Sequence, residues 1–255
     1  MPKMSMGMSS GTEATNGAAV ILAATSNAYS LLFDGTDDNV LISADSSLEI
    51  TDALTISAWF KTTEASDNED GRGNNNISDK YSNDYGILMR ALTDGPGRLN
   101  FATSHGSGFK ILVTDATYND GNWHHVVCTY DKDASSPRKN IYIDGNTTPV
   151  KTEAADYGVI DTSGGDIRVG SNSGGTGYTF TGNIDEYAIW NTALPAAAIA
   201  DIYHSGTPID LTSVTGDYTQ TGNLVVYLRF NEGSGTTVID HSGNGNDGAI
   251  IGSPG

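Results

Sequence analysis

The 255-residue chain reads as an all-β sandwich or barrel with one short helix. Three observations predict this class. Short apolar runs of alternating parity recur along the chain, separated by Asn, Gly, Ser, Thr and Asp, the residues of tight turns. Glycines number 31 and charged residues make up only 17%, below the usual ~25%. Finally, a single stretch, "LPAAAIADIYHSG", carries convincing helical spacing.

The strands follow in order from Tyr29. "YSLLFDG" and "NVLISAD" are short strands around the turn "DGTDD". "ALTISAWFKT" alternates, with Leu54, Ile56, Ala58 and Phe60 on one face and Trp59 on the other. Residues 64–79 hold almost no apolar side chains and read as a long surface loop. "YGILMRAL" and "RLNFATS" flank a Gly-Pro-Gly turn at Pro96. "FKILVTD" and "WHHVVCTYD" come next, and "NIYIDGNTTPV" holds the hairpin signal Asp144-Gly145. "DIRVGSN" precedes a glycine-rich stretch and the strand "NIDEYAIW". The helix should span about 195–204, with Pro195 at its first position and Ile199, Ile202 and Tyr203 on one face. Gly206 is expected to supply the left-handed stop. Trp59, Phe60, Trp123 and Trp190 should fill the interior.

These runs divide the chain. Residues 1–28 read as an extended arm, 29–206 as the sandwich, 207–222 as a linker and 223–255 as a C-terminal strand segment. Within the arm, "GAAVILAAT" follows only Lys3 and is short for a secretory apolar region, so it is expected to belong to the mature arm.

Charge narrows the partners. Thirteen basic against 31 acidic residues give −18, which repels phosphate backbones and anionic lipid, so neither nucleic acid nor a membrane surface is expected. No apolar run approaches a membrane span. Cys128 is the only cysteine, which rules out an intrachain disulfide, and its alternating context predicts a buried, inert thiol.

Taken together, "LLFDGTDDNVLI", "LTISAWFKT", "GNWHHVVCTYD", "IYIDGN", "IRVGSN" and "GNIDEYAIWNTALPAAAIADIYHSG" resemble the concanavalin A-like laminin G (LamG-like) family over residues 29–206. The resemblance implies a two-sheet antiparallel jelly-roll sandwich. "LVVYLRFNEGSGTTVIDHSGNGNDGAI" resembles the segment that usually opens such domains, yet here it comes last. It is expected to pack beside the "FDG" strand, in place of the usual first strand. A truncated second copy and completion of a neighbouring chain are the alternatives.

"FDGTDDN" offers three carboxylates and a flexible glycine, a donor set suited to Ca²⁺, which takes six to eight oxygens. The resemblance places this turn beside "NIDE", so that the Gly35 carbonyl, Asp37 and Asp185 converge on calcium with Asp34 or Asn183 assisting. The competing reading is an ordinary turn with solvated acids. Catalysis by a carboxylate pair needs acids alternating on one strand. Asp185 and Glu186 are adjacent, and Glu49 and Asp52 are three apart, so each pair should face opposite ways. His124 and His125 should likewise diverge, one toward the interior and one toward the surface. Tyr81, Tyr85, Tyr118 and Tyr178 lie in or near Asn/Asp/Gly-rich loops, where they suit a sugar platform, although aromatics so placed are more often half-buried strand ends.

The expected product is therefore a non-enzymatic LamG-like binding or structural module. Its expected place is a virion surface, as a capsid-decoration, head-fibre or tail-fibre subunit with glycan adhesion. Partners would be other virion proteins, or a second copy through the arm, and cell-surface glycans. A secreted bacterial carbohydrate-binding or adhesion module is the alternative, and a divergent glycoside hydrolase the third reading.

Overall fold

The strand Ala53–Lys61 shows how this sequence builds a layer. Leu54, Ile56, Ala58 and Phe60 enter the main core, so Thr55, Ser57 and Trp59 take the opposite face. The same logic runs through the whole computed structural model, which describes residues 27, 29–64, 75–80, 84–89, 96–172, 174–175 and 178–252.

In chain order the first strands are β1 (Leu31–Asp34), β2 (Asn39–Ile42), β3 (Ala53–Lys61), β4 (Asn76–Lys80) and β5 (Tyr85–Leu88). There follow β6 (Arg98–His105), β7 (Gly108–Thr117), β8 (His124–Asp131), β9 (Lys139–Ile143) and β10 (Lys151–Glu153). The chain then forms β11 (Ile167–Val169), β12 (Thr181–Trp190), helix α1 (Ala196–Tyr203), β13 (Leu224–Leu228), β14 (Thr237–Val238) and β15 (Gly248–Ile251). Among the described residues the strands form two antiparallel sheets. One has seven strands, ordered β1-β12-β3-β8-β9-β10 with β13 also on β12. The other has eight, ordered β14-β15-β2-β11-β4-β5-β6-β7. The expected two-sheet sandwich is what the chain forms.

Between the sheets lies one apolar core, to which strands of both layers contribute, for example Ile56, Val126 and Ile184 facing Val40, Phe101 and Ile167. Each fully buried Ile or Phe contributes about 1.5–3 kcal/mol. Cys128 is buried in that core, and burial pushes its thiol far above the ordinary range, so it is inert.

A second apolar cluster covers the outer face of the seven-stranded sheet. Trp190, Val127 and Tyr227 of that face meet Ile199 and Ile202 of α1, together with Leu211 and Tyr218. Tyr218 accepts a hydrogen bond from Trp190 Nε1 at 3.1 Å and donates to the Leu211 carbonyl at 2.7 Å. The stretch 207–222 is therefore packed structure rather than a linker. Its few large apolar residues lack periodicity, and only the outer sheet face gives them a partner.

The helix is placed as expected, but its ends differ. Pro195 is extended (ψ 152°) and caps the helix rather than opening it. His204 (φ 44°, ψ 52°) is the left-handed residue that closes α1, and Gly206 ends the single 3₁₀ turn that follows. Of the expected interior aromatics, Trp59, Phe60 and Trp190 are buried, whereas Trp123 is half-buried.

Residues 224–251 join both sheets. β13 pairs with β12 from Tyr187↔Leu228 to Trp190↔Leu224, on the same edge where β1 pairs Leu31↔Ile184 and Asp34↔Thr181. β13 thus lies end to end with the "FDG" strand rather than beside it. β15 then pairs with β2, Ile250 opposite Val40. A bulge near Val225 breaks the simple parity of "LVVYLRF": Leu224 joins the outer cluster, while Val226, Leu228 and Phe230 enter the core. Of the arm 1–28, only Asn27 belongs to the described residues.

Candidate functional site

β1 ends in the turn Asp34–Asp38. Gly35 adopts φ +82°, and a Cβ there would meet Thr181 Oγ1 at 2.1 Å, so the close approach of β12 requires glycine. The Thr179 hydroxyl donates to the Gly35 carbonyl at 2.5 Å. Within the turn, Thr36 N–H donates to Asp34 Oδ1 at 2.7 Å and Asp34 N–H to Asp38 Oδ2 at 3.1 Å. These bonds gather the acids: one carboxylate oxygen from each of Asp34, Asp37 and Asp38 lies within 4.8 Å of the others. Asp34 and Asp37 are exposed and Asp38 is buried.

Three carboxylates at that spacing repel one another, and a divalent cation relieves the repulsion. The donors are all oxygen, which suits Ca²⁺ rather than a softer metal. The residues at this turn therefore fit the calcium that the sequence suggested, with Asp38 as an added member.

Asp185 and Asn183 do not join the turn. Antiparallel register sets Asp34 opposite Thr181, so Asp185 lies four residues further along β12, about 13 Å away. Its carboxylate instead accepts from Asn27 Nδ2 at 2.7 Å and from Glu186 N–H at 2.9 Å. Asn183 stands opposite Leu32 and donates to Ser30 Oγ at 3.2 Å.

The tyrosines scatter too. Tyr85 is core, its hydroxyl donating to the Leu48 carbonyl at 2.8 Å, because β5 turns that side chain inward. Tyr118 is half-buried and meets His124 edge-on at 5.3 Å. Tyr178 is half-buried with φ 55°; its carbonyl accepts from Asn76 N–H at 3.2 Å, and it directly precedes Thr179, whose hydroxyl reaches the Gly35 carbonyl of the acidic turn. Tyr81 lies outside the described residues. Sequence reasoning missed Arg168, whose Nη1 donates to Asn39 Oδ1 at 2.5 Å beside the same turn. Only the β2–β11 register, Leu41 opposite Arg168, brings it there.

The two adjacent acids of β12 form a separate feature. Asp185 pairs with Trp59 but Ala188 with Ser57, so β12 carries an extra residue, and Glu186 adopts φ 47°. Ile184 and Tyr187 both enter the core, so Asp185 and Glu186 both project from the outer face. The expectation of opposite faces fails at this bulge. Both acids are buried. Glu186 accepts a hydrogen bond from the Tyr227 hydroxyl and lies 3.6 Å from Arg229 Nε. Burial pushes Glu186 up to about 7, against the pull of Tyr227 and Arg229. Burial and the neighbouring Glu186 push Asp185 well above the carboxylate range.

Beside them, Ser57 Oγ and His125 Nε2 are 2.7 Å apart, and Ser57, His125 and Glu186 line one small pocket. This resembles a hydrolytic trio in composition only. Burial lowers His125 to about 3, far below what a general base needs. Ser57 is 1% exposed, out of reach of a substrate. His124, by contrast, is half-buried between Asp144 at 2.9 Å and Asp120 at 3.2 Å, so the two histidines diverge as the alternation requires.

A family profile described as the concanavalin A-like lectin/glucanases superfamily, of laminin G type, matches residues 34–200. The chain belongs to that family. A search of curated protein sequences finds no match for this laminin G-like chain. Solved structures share its fold. A Bacteroides ovatus ATCC 8483 protein proposed to bind carbohydrate superposes with TM-score 0.63 at 16% identity, covering 88% of this chain and 60% of that one. The chain thus spans less than two thirds of that relative's length. The native heptameric SAP-like pentraxin of Limulus polyphemus gives 0.51 at 15% identity, covering 87% and 93%. Domain 4 of AbnA, a GH43 extracellular arabinanase from Geobacillus stearothermophilus solved with arabinotriose, gives 0.51 at 16%, covering 69% and 76%. At these identities the likeness is one of fold.

Proposed function

We propose that this chain is a non-enzymatic, lectin-like module that binds carbohydrate with the help of Ca²⁺ at the rim of the sandwich. The observation that carries the reading is the convergence of Asp34, Asp37 and Asp38, with Arg168 bonded to the adjoining Asn39 and Tyr178 next in sequence to Thr179, which donates to the Gly35 carbonyl of the same turn. Sugar hydroxyls are bound by carboxylate acceptors and by guanidinium and amide donors, and an aromatic ring packs against the sugar's apolar face. A cation held by the three acids adds a direct ligand for vicinal hydroxyls. The arabinotriose bound by domain 4 of the arabinanase supports an oligosaccharide as the ligand class.

Absence of turnover is part of the proposal. The internal acids Asp185 and Glu186 are buried, and the exposed acids sit in a turn rather than alternating along one strand. None of the matched proteins described above is a virion component, so the virion-surface expectation gains no support from them; an extracellular setting suits glycan binding equally.

The test is a glycan array of the full chain with Ca²⁺ and with chelator. Binding to a defined oligosaccharide that falls at least tenfold on chelation, and in Asp37→Asn, is the expected result. Glycan binding indifferent to both treatments would remove the rim from the proposal.

A further inference from the structure

The Tyr227 hydroxyl has one proton and meets two oxygens, Oε2 of Glu186 and the Ile209 carbonyl at 3.0 Å. Donated to an ionised Glu186, that proton leaves the Ile209 carbonyl facing a bare oxygen. One arrangement fills both contacts: Glu186 carries a proton and donates it to Tyr227, which donates its own to Ile209. Burial favours this form, since Glu186 is only 3% exposed. The ionised form has a partner of its own. Arg229 Nε stands 3.6 Å from the other carboxyl oxygen, Oε1, an ion-pair distance too long for a hydrogen bond. The same four groups thus support two arrangements, one with Tyr227 bound to Ile209 and one with Glu186 ionised against Arg229.

Ile209 lies between two fixed points. The 3₁₀ turn after α1 ends at Gly206, and the Leu211 carbonyl accepts from Tyr218 at 2.7 Å. Between them, Pro208 and Ile209 line a small pocket together with Ser57, Trp59 and His125 of the outer sheet face. We infer that the Glu186 proton is a latch on this stretch: while present it holds Ile209 through Tyr227, and its loss turns the Tyr227 hydroxyl to Glu186 and frees residues 207–210. The groups facing Glu186 set the balance. Burial and Asp210, on the stretch itself, keep the proton on; Tyr227 and Arg229 draw it off, and the balance lies at about 7. Asp185, next to it on β12, accepts from Asn27 and from the Glu186 N–H, so neither contact competes for Tyr227. His125 of β8 is turned to Ser57, and burial lowers it to about 3. Exposed His241 meets the Tyr227 ring edge-on at 6.1 Å.

The test is an NMR titration of the full chain across that window, following the Glu186 carboxyl carbon and the Ile209 carbonyl carbon together. In the wild type both should shift with one midpoint, and the order parameter of the Ile209 amide should fall as Glu186 ionises. Glu186→Gln, whose side-chain N–H donates to Tyr227 at any pH, should hold Ile209 at its low-pH shift throughout. Tyr227→Phe should still show Glu186 titrating but lose the response at Ile209, whereas His241→Gln should keep both. An Ile209 shift that ignores the Glu186 midpoint in the wild type, or still follows it in Tyr227→Phe, overturns the inference. If Tyr227→Phe does not fold, the wild type and Glu186→Gln decide between the same outcomes.

Discussion

Asp185 and Glu186 are consecutive residues, yet both project from the outer face of β12, because the bulge at Glu186 inserts one residue opposite Ala58. Asp185 takes Asn27, at the start of the described chain, and Glu186 takes Tyr227 of β13. The pair thus links residues near both ends of the described chain to one strand, β12, beside the ladders that β1 and β13 form with it. The acids are joints in the fold, and neither catalysis nor calcium explains them.

That arrangement gives stability a definite pH dependence. Glu186 titrates near 7 in the fold against 4.5 when free, so between these values the folded state holds more protons than the unfolded state. Stability should therefore fall as pH rises from about 4.5 to 7. Urea titrations across that window should show the slope in the wild type and a shallower one in Glu186→Gln. Equal slopes in both proteins would mean that Glu186 ionises as freely folded as unfolded.

Lys139 should act in the opposite sense at higher pH. Its Nζ is buried over Phe101 and donates to Thr103 Oγ1 at 2.9 Å and the Lys110 carbonyl at 2.6 Å; burial lowers it from 10.5 to about 7. Between these values the unfolded state binds more protons, so stability should rise with pH. Lys139→Met, which keeps the length and removes the charge, should flatten that rise. A wild-type curve that is level from pH 7 to 10 would contradict the assignment.

Calcium should bind through the turn acids and not through Asp185. At a hundredfold excess over Kd, a bound ion adds about 2.7 kcal/mol to the native state. Calcium should raise the melting temperature of the wild type and of Asp185→Asn but leave Asp37→Asn unchanged. Failure of the wild type to respond at all would end the calcium reading.

The outer cluster should matter as much as the main core. Trp190 is fully buried, and its truncation to Ala should cost about 3–5 kcal/mol, whereas half-buried Trp123 should cost less. Tyr218→Phe leaves Trp190 Nε1 without its acceptor and should cost about 1–3 kcal/mol. Chemical denaturation of the three variants ranks them, and a neutral Tyr218→Phe would return 207–222 to the status of a linker.

Removing residues 223–255 should give insoluble or molten protein. The deletion strips β13 from β12 and β15 from β2, and so bares an edge in each sheet. A soluble truncated chain with the full-length melting temperature would show that these strands are appendages.

The sandwich, most of its strands and the helix were legible along the chain, because alternation and turn chemistry are local properties. The parity of Leu54, Ile56, Ala58 and Phe60 needs no distant partner to be read. The acid-rich turn 34–38 was legible for the same reason: its carboxylates are gathered by bonds spanning two to four residues. The remaining features depend on register between distant strands. Asp185 looked like a partner for Asp37, but the pairing of Asp34 with Thr181 carries it away. Tyr85 looked like a loop aromatic until β5 turned it inward, and Arg168 reached the rim only through β2. A bulge of one residue reverses every facing prediction beyond it, and nothing in "NIDEYAIW" announces one, since the left-handed residue there is Glu186 rather than a glycine.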